Sequence, residues 1–393
     1  MVLTIRGLGT MNLSHRRNVL FMALCLLLNL SGCSTDEGTV QGEGGFAPYP
    51  TVDWAEASPE DVGMDRSRLQ ELQEYFEHYV PDSLLVARKG YIVLEKYYGG
   101  HSKETVFETF SVTKSFTSAV AGIAIAEGLF GVDQPAADFI TSWKSPDPRS
   151  TIRIRDLLTM TSGLRWSFSE YVHIGLSLPI GPLTEDLLKH SLDLPLDHTP
   201  GSQWTYNNCA TMALCHVFSS TSGMGLMEYA RDRLFEPIGM HSATWLADGT
   251  GHTYTFMGLR ATVRDLTRFG YLFLRGGLWE GRQIIPQDWV GVTTQPYSDL
   301  NPAYGYLWWV NGYADAWGPM EGQLTLHIPK TGYFFGDVAP PDSYAALGAF
   351  GQMIAVIPEL DLVMVRNGGS ELYDFKQVFT LLYKTVANGA HMP

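Results

Sequence analysis

The sequence predicts an α/β (α+β) fold in which strands from both ends of the chain build one lobe and a mainly helical lobe is inserted between them. Three observations carry this. Strand-like apolar runs occupy residues 83–98 and again 343–369. The stretch from 150 to 290 is a succession of helix-spaced segments, each closing near Gly or Pro. The chain of 393 residues, 45% hydrophobic and 17% charged, has an ordinary globular composition but is too long for one small domain.

Two segments precede the fold. Arg16 and Arg17 lead into VLFMALCLLLNL, an apolar run that suits a secretory signal. A membrane span would need roughly 20 such residues. Leu30-Ser31-Gly32-Cys33 follows and resembles a bacterial lipobox. That resemblance implies cleavage before Cys33 and lipid on its thiol; the other reading is an ordinary signal with an incidental cysteine. HRRNVL faintly resembles a twin-arginine signal, and Met11 offers an alternative start. Residues 34–50 are polar and Gly-rich and read as a flexible tether. The expected organisation is a signal over 1–33, a tether over 34–50 and a domain over 51–393. Within the domain, 51–115 and 295–393 form the α/β lobe and 116–294 the helical lobe. The expected location is the cell envelope, lipid-anchored to a membrane on its periplasmic or extracytoplasmic face.

Within the domain, residues 67–80 place Leu69, Leu72, Tyr75, Phe76 and Tyr79 at helical spacing. Residues 83–98 read as two strands about a turn at Lys89-Gly90. Residues 112–128 predict a helix rich in Ala, Ser and Gly, whose small side chains let it lie close to its neighbours. The helical segments of the middle are TIRIRDLLTMTSG, LTEDLLKHSL, CATMALCHVFSSTSG, GLMEYARDRLFEPIG and TVRDLTRFGYLFLRGG. Strands return over 343–369, with a turn at Pro358-Glu359-Leu360, and a helix closes the chain over 375–387. Cys209 and Cys215, six apart on one helix, fall on different faces and are expected to be unbridged buried thiols.

The net charge of -14 and the lack of a basic tract exclude a nucleic-acid partner. The eleven histidines form no His-Glu-x-x-His spacing, so neither metal nor cofactor is expected. No Gly-x-Ser-x-Gly elbow occurs either. FSVTKSF (110–116) opens the small-residue helix, and Ser111 and Lys114 share a helix face. A serine hydroxyl needs a base within reach, and a lysine can serve if burial keeps its amine neutral. Ser111 N–H at the helix start can help hold an oxyanion. The structural alternative is a capping serine and a surface lysine. PGSQWTYNN (200–208) supplies Tyr206 and Asn208 in a loop before a helix. Tyr206 can exchange protons with Ser111, its phenolate favoured by a cationic Lys114, and Asn208 can bond a substrate carbonyl. Alternatively, Tyr206 plugs the loop and Asn208 caps the helix.

Ser111-Val112-Thr113-Lys114 and Tyr206-Asn207-Asn208, in this order, resemble the serine β-lactamase and penicillin-binding-protein-like superfamily, class C-like members above all. Stretches such as SVTKSFTSAVAGIAIAEG and GLRATVRDLTRFGYLFLRGG look most like the branch of 6-aminohexanoate-dimer hydrolase and related esterases. The resemblance covers about 53–388. It implies a β-lactamase/transpeptidase-like antiparallel sheet flanked by helices, and acyl-enzyme chemistry on small esters or amides. In this family a third motif, often Lys-Thr-Gly, lies on an edge strand beside the serine. Lys330-Thr331-Gly332 has those letters but sits too far upstream of the Pro358-Glu359 turn, with Pro340 and Pro341 between. The resemblance therefore puts Ala346-Leu347-Gly348 at that position and Ala349 N–H beside Ser111 N–H as the oxyanion pair. Gly348 allows close backbone approach. Ala346 cannot bind a substrate carboxylate, which predicts poor activity on β-lactams. The alternative has Lys330 folding over the cleft. Trp166 and Tyr171 are the favoured pocket aromatics, with Trp308, Trp309, Tyr333 and Phe334 also candidates. Competing functions are a cell-wall D,D-peptidase or β-lactamase, and a non-catalytic binding lipoprotein.

Overall fold

The structure is a computed structural model that describes residues 49–166, 186–315, 331–369 and 373–386. The signal and most of the tether, with Cys33, lie outside the described residues, as do Tyr171 and Lys330. Seven strands form the central sheet: β1 (Ala55–Glu56), β2 (Ser83–Arg88), β3 (Tyr91–Tyr97), β4 (Trp309–Val310), β5 (Tyr344–Gly348), β6 (Gln352–Ile357) and β7 (Leu362–Asn367). Their order is β1-β3-β2-β7-β6-β5-β4. Every neighbouring pair is antiparallel except β1 with β3. The two ends of the chain meet where Ser83 faces Asn367 and Arg88 faces Leu362. The β2–β3 hairpin turns through Lys89 (φ 51°) and Gly90 (φ 82°), the two left-handed residues a tight primed turn requires.

β6 and β7 are buried along their whole length, which explains their unbroken apolar runs. Helix α4 covers one face; the others are α1 (Arg66–Glu77), α2 (Thr113–Ala126), α3 (Asn208–Ser222), α4 (Val263–Leu274) and α5 (Phe375–Lys384). Gly270 brings α4 so close that a Cβ there would lie 2.7 Å from Val363 Cγ1. Strand side chains alternate, so Arg366, three residues on, points to the opposite face. There its guanidinium lies over the Phe76 ring of α1, which packs on α5.

Helix α2 is the axis of the core. Thr113 through Ala124 are buried without interruption. Its hydroxyls are satisfied by neighbouring chain: Ser115 donates to the Leu307 carbonyl at 2.8 Å and Thr117 to the Thr255 carbonyl at 2.7 Å. Ser118 bonds Thr293 at 2.8 Å. Each bond removes the penalty of a buried polar group, so a hydroxyl-rich helix can occupy an interior.

Several short elements differ from the sequence expectation. Val106–Glu108, Leu259–Thr262 and Thr244–Trp245 form a small three-stranded sheet, too short to show a period in sequence. TIRIRDLLTMTSG is helical only over Ile154–Leu158. GLMEYARDRLFEPIG begins as a helix over Leu226–Ala230 and then widens into a π turn over Arg231–Phe235. Strand β5 is not the sheet edge, because β4 pairs outside it. The closing helix stops at Lys384. Cys209 and Cys215 are buried and unbridged. No helix among the described residues is long and apolar enough to cross a membrane.

The close packing of α2 is testable. A Cβ on Gly122 would lie 2.2 Å from Trp289 Cδ1, and that indole is held by its bond to the Ser118 carbonyl. Gly122→Ala should cost about 1–3 kcal/mol through overpacking. Gly131→Ala, with nothing within 4 Å of the new methyl, should be close to neutral in the same urea titration.

Candidate active site

Ser111 does not lie on the α-helix itself. It occupies a 3-10 turn, Phe110–Val112, that leads into α2. Such a turn has three residues per revolution, so the spacing of Ser111 and Lys114 still brings their side chains together. Lys114 Nζ is 3.0 Å from Ser111 Oγ and 3.2 Å from the Phe256 carbonyl. The lysine is 1% exposed, and burial pushes its pKa well below the ordinary lysine value. Desolvation is the sole cause; no carboxylate among the described residues offsets it. A buried lysine without a counter-ion favours the neutral amine, whose lone pair can take a hydroxyl proton. The burial therefore opposes the expected cationic Lys114 that would stabilise a Tyr206 phenolate at rest.

Tyr206 stands over this pair, with Lys114 Nζ 4.6 Å from its ring centroid. The ring is stacked against Trp309 at 6.1 Å and flanked by Trp204 and Tyr304. The Tyr304 phenol is itself buried, and desolvation, then Tyr206, raise its pKa well above the ordinary tyrosine value. The N-cap of α3 is Asn207 rather than Asn208: its side chain accepts from Ala210 N–H at 3.0 Å and donates to the Leu164 carbonyl at 3.0 Å. Asn208 begins the helix, and its Oδ1 is buried without a hydrogen-bond partner.

The end of β5 closes the other side. A Cβ on Gly348 would lie 2.4 Å from the Thr109 carbonyl and 3.2 Å from Ser111 N, so only glycine lets the strand pass this close to the serine turn. Ala349 follows in the turn to β6. Ala346 is buried and pairs with Ile354, so this strand brings no cation to the site. Gly332–Tyr333 pairs instead with Tyr313–Ala314 in a separate two-stranded sheet, so Thr331-Gly332 is not on the strand beside Ser111.

The structure thus gathers Ser111, Lys114, Tyr206 and Gly348. Trp166 is half-buried and packs against the core, and Tyr171 lies outside the described residues. Of the other aromatics, Trp309 joins through Tyr206, with Phe334 stacked behind it at 5.1 Å. Trp308 instead packs on Phe273 and Tyr344 in the core. Sequence reading missed the Phe256 carbonyl, Trp204, Tyr304, and the contact of Phe110 with Phe350. These are long-range meetings with no local pattern to announce them. It also missed a cluster of Asp186, Asp248 and His252, whose ligand atoms lie within 4.8 Å of one another. Asp248 accepts from the backbone N–H groups of Leu187, Leu188, Thr250 and His252, a bonding pattern that ties two segments together.

A mixed sheet-and-helix fold with a Ser-x-x-Lys turn set against the end of one strand falls in the β-lactamase/transpeptidase class. The chain belongs to the beta-lactamase family, whose sequence profile matches residues 72–367, and it is a β-lactamase-fold hydrolase. It is 24% identical to the 6-aminohexanoate-dimer hydrolase of Paenarthrobacter ureafaciens, covering 76% of this chain and 75% of that one. A Bacillus anthracis structure provisionally named for the same hydrolase aligns with TM-score 0.66 and 22% identity over 86% of this chain and 88% of its own. A penicillin binding protein from Bacillus halodurans shares the fold with TM-score 0.59 and 18% identity, over 79% of this chain and 98% of that one. The superfamily expected from SVTK and YNN is therefore the one found.

The buried amine predicts a pH signature. Unfolding returns Lys114 to its ordinary value, so between the lowered and the ordinary pKa the unfolded chain binds one more proton than the folded one. This group's effect on stability improves as pH rises through that window and worsens as pH falls. Lys114→Met should flatten that part of the stability profile and raise stability at neutral pH. Urea melts at a series of pH values measure it; an unchanged slope would show that the amine is not neutral in the fold.

Proposed function

We propose that this protein is a serine hydrolase that cleaves small esters or amides through an acyl-enzyme on Ser111. The observation that carries the reading is the buried Lys114 amine 3.0 Å from Ser111 Oγ, with no counter-ion among the described residues. In this mechanism Lys114, with the Tyr206 phenol beside it, takes the Ser111 proton as Oγ attacks the carbonyl carbon. The oxyanion is held by the N–H groups of Ser111 and Ala349. The tetrahedral adduct collapses, the leaving oxygen or nitrogen takes the proton back from Lys114 or Tyr206, and Ser111 remains acylated. Water then gives a proton to the same pair and attacks the acyl carbon, and the pair returns that proton to Ser111 Oγ as the bond to the acyl group breaks and the acid leaves.

The substrate class follows from what lines the site. Ala346 contributes no charge where a substrate carboxylate would bind, and the Tyr206 ring is backed by Trp309, with Phe334 stacked behind that. This favours uncharged, apolar acyl groups over β-lactams and peptidoglycan stems. The Asn208 side-chain amide, its Oδ1 buried without a hydrogen-bond partner, leaves hydrogen-bonding capacity for a substrate amide group. The lipobox-like Leu30-Ser31-Gly32-Cys33 supports a lipid anchor on Cys33 that would keep the enzyme at the cell envelope.

The test is mass spectrometry of the protein after incubation with p-nitrophenyl butyrate and, separately, with a penicillin. Ester turnover is expected in the wild type, with a loss of about 10³-fold or more in Ser111→Ala and about 10²–10⁴-fold in Tyr206→Phe. No penicilloyl adduct should form. A stable adduct on Ser111 would move the protein to the cell-wall reading, and ester turnover surviving in Ser111→Ala would end the proposal.

A further inference from the structure

We propose that Phe350 is a positioning residue: its contact with Phe110 fixes the separation of the Ser111 and Ala349 amides. The inference rests on the reading of Ser111 as nucleophile and of those amides as the oxyanion pair. Phe110 has φ 47° and Phe350 has φ 60°. Left-handed backbone is unfavourable for a bulky side chain and persists only where the surroundings enforce it. Here the two strained residues flank the two amides, Phe110 immediately before Ser111 and Phe350 immediately after Ala349. Their rings meet with centroids 4.9 Å apart. The contact therefore bridges the two chain segments that supply the amides, the serine turn and the turn after β5.

Core packing does not account for this arrangement, because Phe350 remains 38% exposed. The rest of its turn is held from below. Gly351, with φ 74°, presents its carbonyl to Arg366 Nη1 at 2.7 Å, and a Cβ on Gly351 would come within 1.9 Å of that nitrogen. Arg366 is fully buried, donates to the Tyr79 carbonyl at 3.2 Å and lies over the rings of Phe76 and Tyr373. On the near side, Gly348 is wedged against the Thr109 carbonyl. Ala349 thus sits between a wedge and a buried brace, and the aromatic tie is what joins its turn to the serine turn across the solvent-facing side.

The informative variant is Phe350→Gly. Glycine adopts φ 60° freely, so the backbone path stays available while the ring is lost. A residue serving only stability would give a lower melting temperature and unchanged chemistry. A residue lining the acyl pocket would give a higher KM that depends on acyl length. A positioning residue gives a melting temperature held or raised, and a kcat lowered by about tenfold to a hundredfold for both p-nitrophenyl acetate and butyrate. KM should stay within about threefold. The rate of Ser111 labelling by a p-nitrophenyl phosphonate should fall in parallel, because its phosphoryl oxygen uses the same amides. Phe350→Leu, which keeps bulk but not the ring contact, should fall between. Wild-type kcat and labelling in Phe350→Gly, with Ser111→Ala inactive, would overturn the positioning role alone. Turnover persisting in Ser111→Ala would overturn it together with the reading beneath it.

Discussion

The arrangement depends on one costly placement, a lysine amine buried beside a serine hydroxyl with no described carboxylate to balance it. An ammonium in such a place is strongly disfavoured, so the fold selects the neutral amine instead. Helix α2 is buried from Thr113 to Ala124, which keeps water from the amine. Its side chains are small enough for Trp289 to lie against Gly122, and its hydroxyls bond to chain from three other regions. The Phe256 carbonyl gives the amine a second neutral partner, which fixes its direction without restoring its charge. Burial thus supplies both the rigidity of the core and an amine that is neutral, with its lone pair free.

The second constraint is backbone proximity. Strand β5 comes from the far end of the sequence and stops against the turn that carries Ser111, and glycine at 348 is what permits the approach. Because β5 approaches the serine turn through its backbone at Gly348, that contact does not depend on the side chain at 346. Ala346 illustrates the separation: the strand keeps its register with β6 while offering no charge to a substrate. In the proposed mechanism, substrate choice and acyl-transfer chemistry would be carried by different atoms of one strand.

The same division explains what was legible in sequence. Ser111 and Lys114 stood out because their three-residue spacing at the start of a small-residue helix is a local pattern. β5, β6 and the turn after β6 were legible because long buried strands leave unbroken apolar runs. Lys330-Thr331-Gly332 had the right letters, but Pro340 and Pro341 interrupted the path to the hairpin, and the structure pairs Gly332 with Ala314 instead. Strands of two to four residues, such as β4 and Leu259–Thr262, carry too few side chains to show a period. The ring contact between Phe110 and Phe350 joins residues 240 positions apart, and nothing in either neighbourhood marks it. Asn207 and Asn208 differ only in which of them turns back on the helix start, a choice settled by the carbonyl of Leu164.

The lack of a counter-ion among the described residues also bears on the proposed turnover. In the proposed cycle Lys114 becomes cationic when it takes the serine proton, and it does so in surroundings that stabilise the cation poorly. The same desolvation that makes it an effective base at rest makes its conjugate acid eager to give the proton up. A carboxylate partner would hold the proton on the lysine and leave the departing atom without one. For an ester this matters modestly, since an alkoxide can leave with partial protonation. For an amide it is decisive, because nitrogen must be protonated before the C–N bond breaks. In the proposed cycle a buried lysine with no counter-ion among the described residues would suit both reactions, and the balance between them would pass to the groups that meet the leaving atom, Tyr206 foremost, within its surround of Trp204, Tyr304 and Trp309.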